Sequence, residues 1–132
     1  MAGKLLLFRR HLPYNPPMFT DTHCHLADPA LLPQLPEVLA AARAANVHRF
    51  IVPATCRTDW AAVLALGAAD IHRAIGTHPW FAPGADAAEL ARLSQRLTQH
   101  PQALVGEIGL DFQHENPSNE TRMRQISLFE QQ

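Results

Sequence analysis

Four short apolar runs punctuate the sequence, "MFTDTH", "RFIVPAT", "HRAIGTH" and "ALVGEIG", and Ala- and Leu-rich stretches long enough for helices lie between them. In "LPEVLAAARAAN", Pro36 sits where the first turn of a helix tolerates proline, and Asn46 where a helix can stop. "TDWAAVLALGAAD" offers Thr58 as an N-cap, and "ADAAELARLSQRLTQHP" begins near Asp86 and ends before Pro101. The last stretch, "SNETRMRQISLFEQQ", has Ser118 or Asn119 as caps and places Met123, Ile126 and Leu128 or Phe129 on one side. Four strand–helix units in succession predict a parallel sheet with right-handed crossovers. The first three runs are neither long nor strictly alternating, which predicts strands covered on both faces.

Two α/β architectures use this repeat, an open doubly wound sheet and a closed (β/α)8 barrel. Residues 18–132 hold four units, whereas a whole barrel takes eight units and about 250 residues. On the barrel reading half the wall is absent, and the chain stops at Gln131-Gln132 inside a helical pattern with neither a Gly cap nor a polar tail, as a truncation would leave it. Such a half-barrel leaves its first and fourth strands with unpaired edges, so self-association through those edges is expected.

Residues 1–17 end in "LPYNPP", where Pro13, Pro16 and Pro17 block regular structure, and are expected to form a disordered extension ahead of Met18. They read as an upstream translation start or, being free of acidic residues, as a short organellar presequence. Leu5 to Phe8 is too short for a signal-peptide core, and Arg9-Arg10 leads into no apolar run. Two cysteines cannot build a disulfide framework, so a cytoplasmic setting with reduced thiols is expected. A net charge of −1 with scattered Lys and Arg excludes coating of nucleic acid or anionic membrane by bulk charge.

The chemistry gathers at the ends of the runs. The first ends in "FTDTHCHLAD", with His23 and His25; the third in "GTHPW", with His78; the fourth in "GEIGLDF", with Glu107 and Asp111. With eight histidines in 132 residues, chance alone gives roughly half an H-x-H, so the pair alone means little. Its placement changes that, because parallel α/β folds build their sites at the carboxyl ends of strands. Side-chain alternation lets Asp21, His23 and His25 share a face and turns Cys24 away as a small buried hydrophobe. Two neutral imidazoles and the Glu107 carboxylate make a ligand set for a divalent ion, and a carboxylate amid apolar residues is costly to bury without a cation. A buried salt bridge with an arginine is the other reading of Glu107. His78 reads as a contact beside the ligands or to a substrate phosphate, or as a cap for a backbone group. Asp111 and Asp21 read as groups that orient a ligand histidine, or as turn and capping residues.

Trp60, Trp80, Phe81 and Phe112 read as core or site-wall aromatics, with Trp80 and Phe81 placed to stack on a base. His11, His48, His72, His100 and His114 have no partner at ligand spacing and read as surface residues. Cys56 has no base spaced to make it a nucleophile.

"MFTDTHCHL", "FIVPAT", "AIGTHPW" and "VGEIGLDF", in this order and spacing, closely resemble the TatD family of metal-dependent deoxyribonucleases, among the amidohydrolase-like metallohydrolases. The resemblance runs from Met18 to the end of the chain. It implies a partial TIM-type (β/α)8 barrel of about four N-terminal βα units, with one or two divalent ions (Mg, Mn or Zn) at its C-terminal face. It implies DNA as partner and hydrolysis of its phosphodiester bonds, often from a 3′ end. By position His23 and His25 resemble the first-strand ligands, Glu107 the carboxylate bridging two metals, and His78 a histidine lining the site. The family draws two more histidines from the fifth and sixth strands and an aspartate, the natural general base, from near the eighth. Without them this chain is expected to be weakly active or inactive. The rival expectations are a metallohydrolase of a small amide, lactone or ester, against which "GEIGLDF" speaks, and a non-catalytic fragment.

Overall fold

A computed structural model describes residues 17–132, so the expectations for the N-terminal extension, His11 included, lie almost wholly outside the described residues. The chain order is β1 (Phe19–Asp21), α1 (Leu35–Ala44), β2 (Val47–Pro53), α2 (Trp60–Ala65), β3 (Ile71–Ile75), α3 (Ala87–Gln99), β4 (Leu104–Val105) and α4 (Asn119–Gln131). Short 3₁₀ turns lie at Leu32–Gln34 and Pro79–Gly84.

The four strands form one parallel sheet in the order β1-β2-β3-β4. Sequential order with no reversal is that of a barrel wall; a doubly wound sheet reverses at its switch point. β2 is rich in β-branched and aromatic residues, and its Phe50 lies beside Ile71 of β3, so Phe50, Val52, Ile71 and Ile75 share one face. That face packs with Leu39 of α1, Trp60 and Val63 of α2 and Leu93 of α3 into the core. Val52 and Ile75 are fully buried, and each such side chain stabilises the fold by about 1.5–3 kcal/mol.

Local chemistry explains the helix limits. Asp86 accepts a hydrogen bond from the Glu89 N–H at 2.7 Å and caps α3; Ser118 accepts from the Thr121 N–H at 3.1 Å and caps α4. Past α1, Asn46 turns the chain at φ +63°, a conformation asparagine tolerates, and β2 follows at once.

Three expectations are corrected. Thr58 does not cap α2, because Asp59 is the residue before the helix, and its carboxylate turns back to accept from the Thr55 N–H and hydroxyl and the Cys56 N–H. β1 is exposed along its length, as an edge strand touching only β2 in the sheet, so covering on both faces fails there. In α4 the inward positions are Gln125 and Leu128, while Met123 and Phe129 lie exposed. Gln125 is buried because its side-chain oxygen accepts from the Asp111 N–H at 2.9 Å, which a hydrophobicity pattern does not register.

Candidate metal centre

β1 ends at Asp21, and the two histidines follow in a bend. Asp21 sets that bend: its carboxylate accepts from the His23 N–H at 3.1 Å, the capping role open to it, and it bonds neither imidazole ring. The Cys24 N–H donates to Ile51 O at 3.1 Å, which ties the segment to β2 and turns Cys24 toward the core. Burial first, and then the negative charge of Asp21, push the Cys24 thiol up to about 11. It therefore stays protonated at neutral pH and is a poor metal ligand.

Glu107 arrives from the other side. Beyond β4 the Gly106 N–H donates to Ile75 O and the Glu107 N–H to Ala54 O at 2.8 Å, so the backbone bonds that hold Glu107 reach the ends of β3 and β2. Gly76 allows this approach, because a Cβ there would stand 2.8 Å from Ile108 Cγ2 and 3.1 Å from Glu107 O. Close beside lies His78, whose N–H donates to Thr55 O. The preceding Thr77 is locked by its hydroxyl, which donates to Glu89, and by the Gln132 carboxamide on its N–H and carbonyl.

His23 Nε2 stands 3.2 Å from His25 Nε2 and 3.5 Å from Glu107 Oε2, and one ligand atom from each of the three residues lies within 4.8 Å of the others. An ion bonded at about 2.1 Å to two donors roughly 90–110° apart spaces them about 3.0–3.4 Å apart. The two shorter separations fall at or just beyond that spacing, so two imidazoles and a carboxylate fit one divalent ion. No arginine pairs with Glu107 among the described residues; the ring nitrogens beside its carboxylate are those of His23 and His78, each 3.5 Å away. His78 meets two of the three readings given to it. Its Nδ1 accepts from the Trp80 N–H at 3.2 Å, which leaves the ring proton on Nε2, 3.5 Å from Glu107 Oε1. It is a cap and also a neighbour of the carboxylate.

Asp111 takes the turn-residue reading of the two open to it. It touches no ligand histidine; its carboxylate accepts from the Trp80 indole N–H at 2.7 Å and from the Gln113 and His114 N–H groups, both at 2.9 Å. These bonds, the His114 N–H foremost and the indole next, hold Asp111 down to about 2. The turn they make brings His114 onto Trp80, with ring centroids 3.8 Å apart and planes 20° from parallel. His114 is exposed, as a surface residue should be, but it has a partner that sequence reasoning missed; the signal was an aspartate three residues before it, in turn-forming "DFQHENP". Of the other aromatics Trp60 is core, Phe81 is exposed, and Phe112 lies under the Arg122 guanidinium, 5.6 Å from its ring centre.

The family described as TatD related DNase matches residues 20–132, a span that holds the whole cluster. The chain belongs to this family. It is 36% identical, over 118 residues, to the uncharacterized metal-dependent hydrolase YjjV of Escherichia coli K12, covering 86% of this chain and 44% of that protein. The crystal structure of that TatD homologue superposes with a TM-score of 0.75 at 34% identity, again over 86% and 44% of the two chains. A TatD family hydrolase from Entamoeba histolytica shares the fold at a TM-score of 0.71 and 20% identity. The TatD-related chain thus spans under half the length of these relatives. Its four strands are a part of the TIM-type barrel expected of the family, and no described helix is long and apolar enough to cross a membrane.

Proposed function

We propose that this TatD-related chain contributes one wall of a metal-dependent nuclease site that hydrolyses DNA phosphodiester bonds, working inward from a 3′ end. The observation that carries this reading is the convergence of His23, His25 and Glu107 from two segments about eighty residues apart on one ion-sized space. A divalent ion bound there, Mg, Mn or Zn, supplies Lewis acidity to a phosphoryl oxygen and acidity to a water. The chain's own residues do the holding: Asp21 sets the bend that presents the imidazoles, and His78 keeps an N–H beside the carboxylate. Asp21, whose carboxylate accepts from the His23 N–H, is engaged in holding that bend.

Calorimetric titration with Mn²⁺ or Zn²⁺ should show saturable binding of about one ion per chain, lost in Glu107→Ala and in His23→Ala. Incubation with 5′-labelled single-stranded DNA should give slow shortening from the 3′ end, abolished by chelator and by Glu107→Ala. Binding that survives both substitutions, or shortening that ignores the chelator, would refute the reading.

A second copy of the chain is the proposed protein partner, joined through the edges of β1 and β4. Phe19, Leu104 and Val105 on those strands are 54%, 47% and 44% exposed, which supports it.

A further inference from the structure

We infer that the stacked Trp80–His114 pair is a platform for an unpaired nucleobase next to the metal cluster, a subsite that selects single-stranded ends. The inference rests on the nuclease reading above for its ligand class, and on separate geometry for its place. Trp80 is 50% exposed, yet its position is determined by three groups: the indole N–H bonds Asp111, the ring meets His78 edge-on at 4.8 Å, and His114 stacks on it at 3.8 Å. A solitary exposed aromatic needs no explanation. One whose rotamer freedom is given up while half its surface stays in water is preorganised for something that arrives later.

The surroundings identify the visitor. Trp80 and His114 border a cleft of about 490 Å³ whose other walls include Pro79, Pro83, Pro117 and the carboxamide-bearing Asn116, with one carboxylate, that of Glu115, turned largely to solvent. Flat, rigid rings with few charges suit another flat ring, and the volume lies within the roughly 300–1,000 Å³ of small-ligand sites. Trp80 is also the second residue after His78, whose Nε2 faces Glu107 at 3.5 Å. A base in this cleft would therefore bring its own phosphate toward the proposed ion. Inside a duplex both faces of a base are stacked, and a terminal base is held by its pairing from turning into a cleft, so a frayed or single-stranded end is what the platform takes.

The test is binding without metal, so that it does not depend on turnover. A fluorescein-labelled oligothymidylate and an abasic oligomer of equal length are titrated onto the chain in chelator, read by anisotropy and by tryptophan fluorescence. The second tryptophan, Trp60, is buried, so quenching reports on Trp80. The oligothymidylate should quench and should bind more tightly than the abasic oligomer. Trp80→Ala should weaken oligothymidylate binding roughly five- to hundredfold, toward the abasic level, while Trp80→Phe keeps most of the affinity because a stacking face remains. Equal affinity for the two oligomers, or unchanged affinity in Trp80→Ala with its fold intact by circular dichroism, overturns the platform even if the chain shortens DNA. Quenching by oligothymidylate in a chain that never shortens DNA overturns hydrolysis alone and leaves the platform standing.

Discussion

A single carboxylate shows how the structure chooses between two roles that one side chain leaves open. Asp111 stands four residues past Glu107 at the strand end where site residues gather, yet its bonds are to Trp80 and to two backbone N–H groups of its own turn. Those donors favour the ionised form and hold it down to about 2, below the ordinary 3.8. The sign follows: a carboxyl lowered in the folded chain adds stability that is full above about pH 4 and lost as pH falls toward 2. The titratable groups around the Trp80–Asp111 contact are His78, His114 and Glu115, and none of them is removed by Asp111→Asn. In the native chain Trp80 fluorescence should therefore show a change centred near pH 2, where Asp111 takes up its proton. In Asp111→Asn that step should be absent, with its altered signal already present at pH 7, while any step from the retained Glu115 persists.

At the scale of elements, the site depends on how closely the segment after β4 approaches the end of β3. Gly76 accepts the buried Trp60 indole N–H on its carbonyl at 2.7 Å while leaving room for Gly106 to Ile108 on its other side. An alanine there would push on backbone as well as on Ile108, and backbone bonded into the sheet yields poorly. Gly76→Ala should cost about 1–3 kcal/mol in thermal or urea unfolding. It should also weaken Mn²⁺ binding, since Glu107 hangs from the displaced segment. Wild-type metal affinity in this variant would show that Glu107 is positioned by other means. Helix ends were more legible than this contact: Asp86 and Ser118 cap where their residue types suggest, because capping is settled within three residues. Asp59 and Gln125 were not legible, because each bonds a backbone group outside its own helix.

For the whole molecule the sheet edges decide behaviour in solution. β1 and β4 are short, exposed and paired on one side only among the described strands, with Phe19, Leu104 and Val105 in water. Edges of this kind recruit further strands. Light scattering coupled to gel filtration should give a mass that rises from monomer toward dimer with concentration, and Leu104→Lys with Val105→Lys should return it to monomer. A monodisperse wild-type monomer throughout would remove the second copy as partner.

The sequence by itself determined the periodicities, and with them the four parallel strands, the helices between them and the family. It also determined which residue types stand at the strand ends, because those depend on neighbours a few positions away. It grouped His23, His25 and Glu107 as a ligand set by their place at strand ends but gave no distance between them, and it placed His114 among unpartnered surface residues. Only the tertiary structure decided these points. The parallel sheet sets the ends of β1 and β4 on one rim, and hydrogen bonds from Gly106 and Glu107 to β3 and β2 carry a carboxylate to within 3.5 Å of an imidazole. Contacts between residues far apart in the chain are fixed by packing, and packing is a property of all the segments at once.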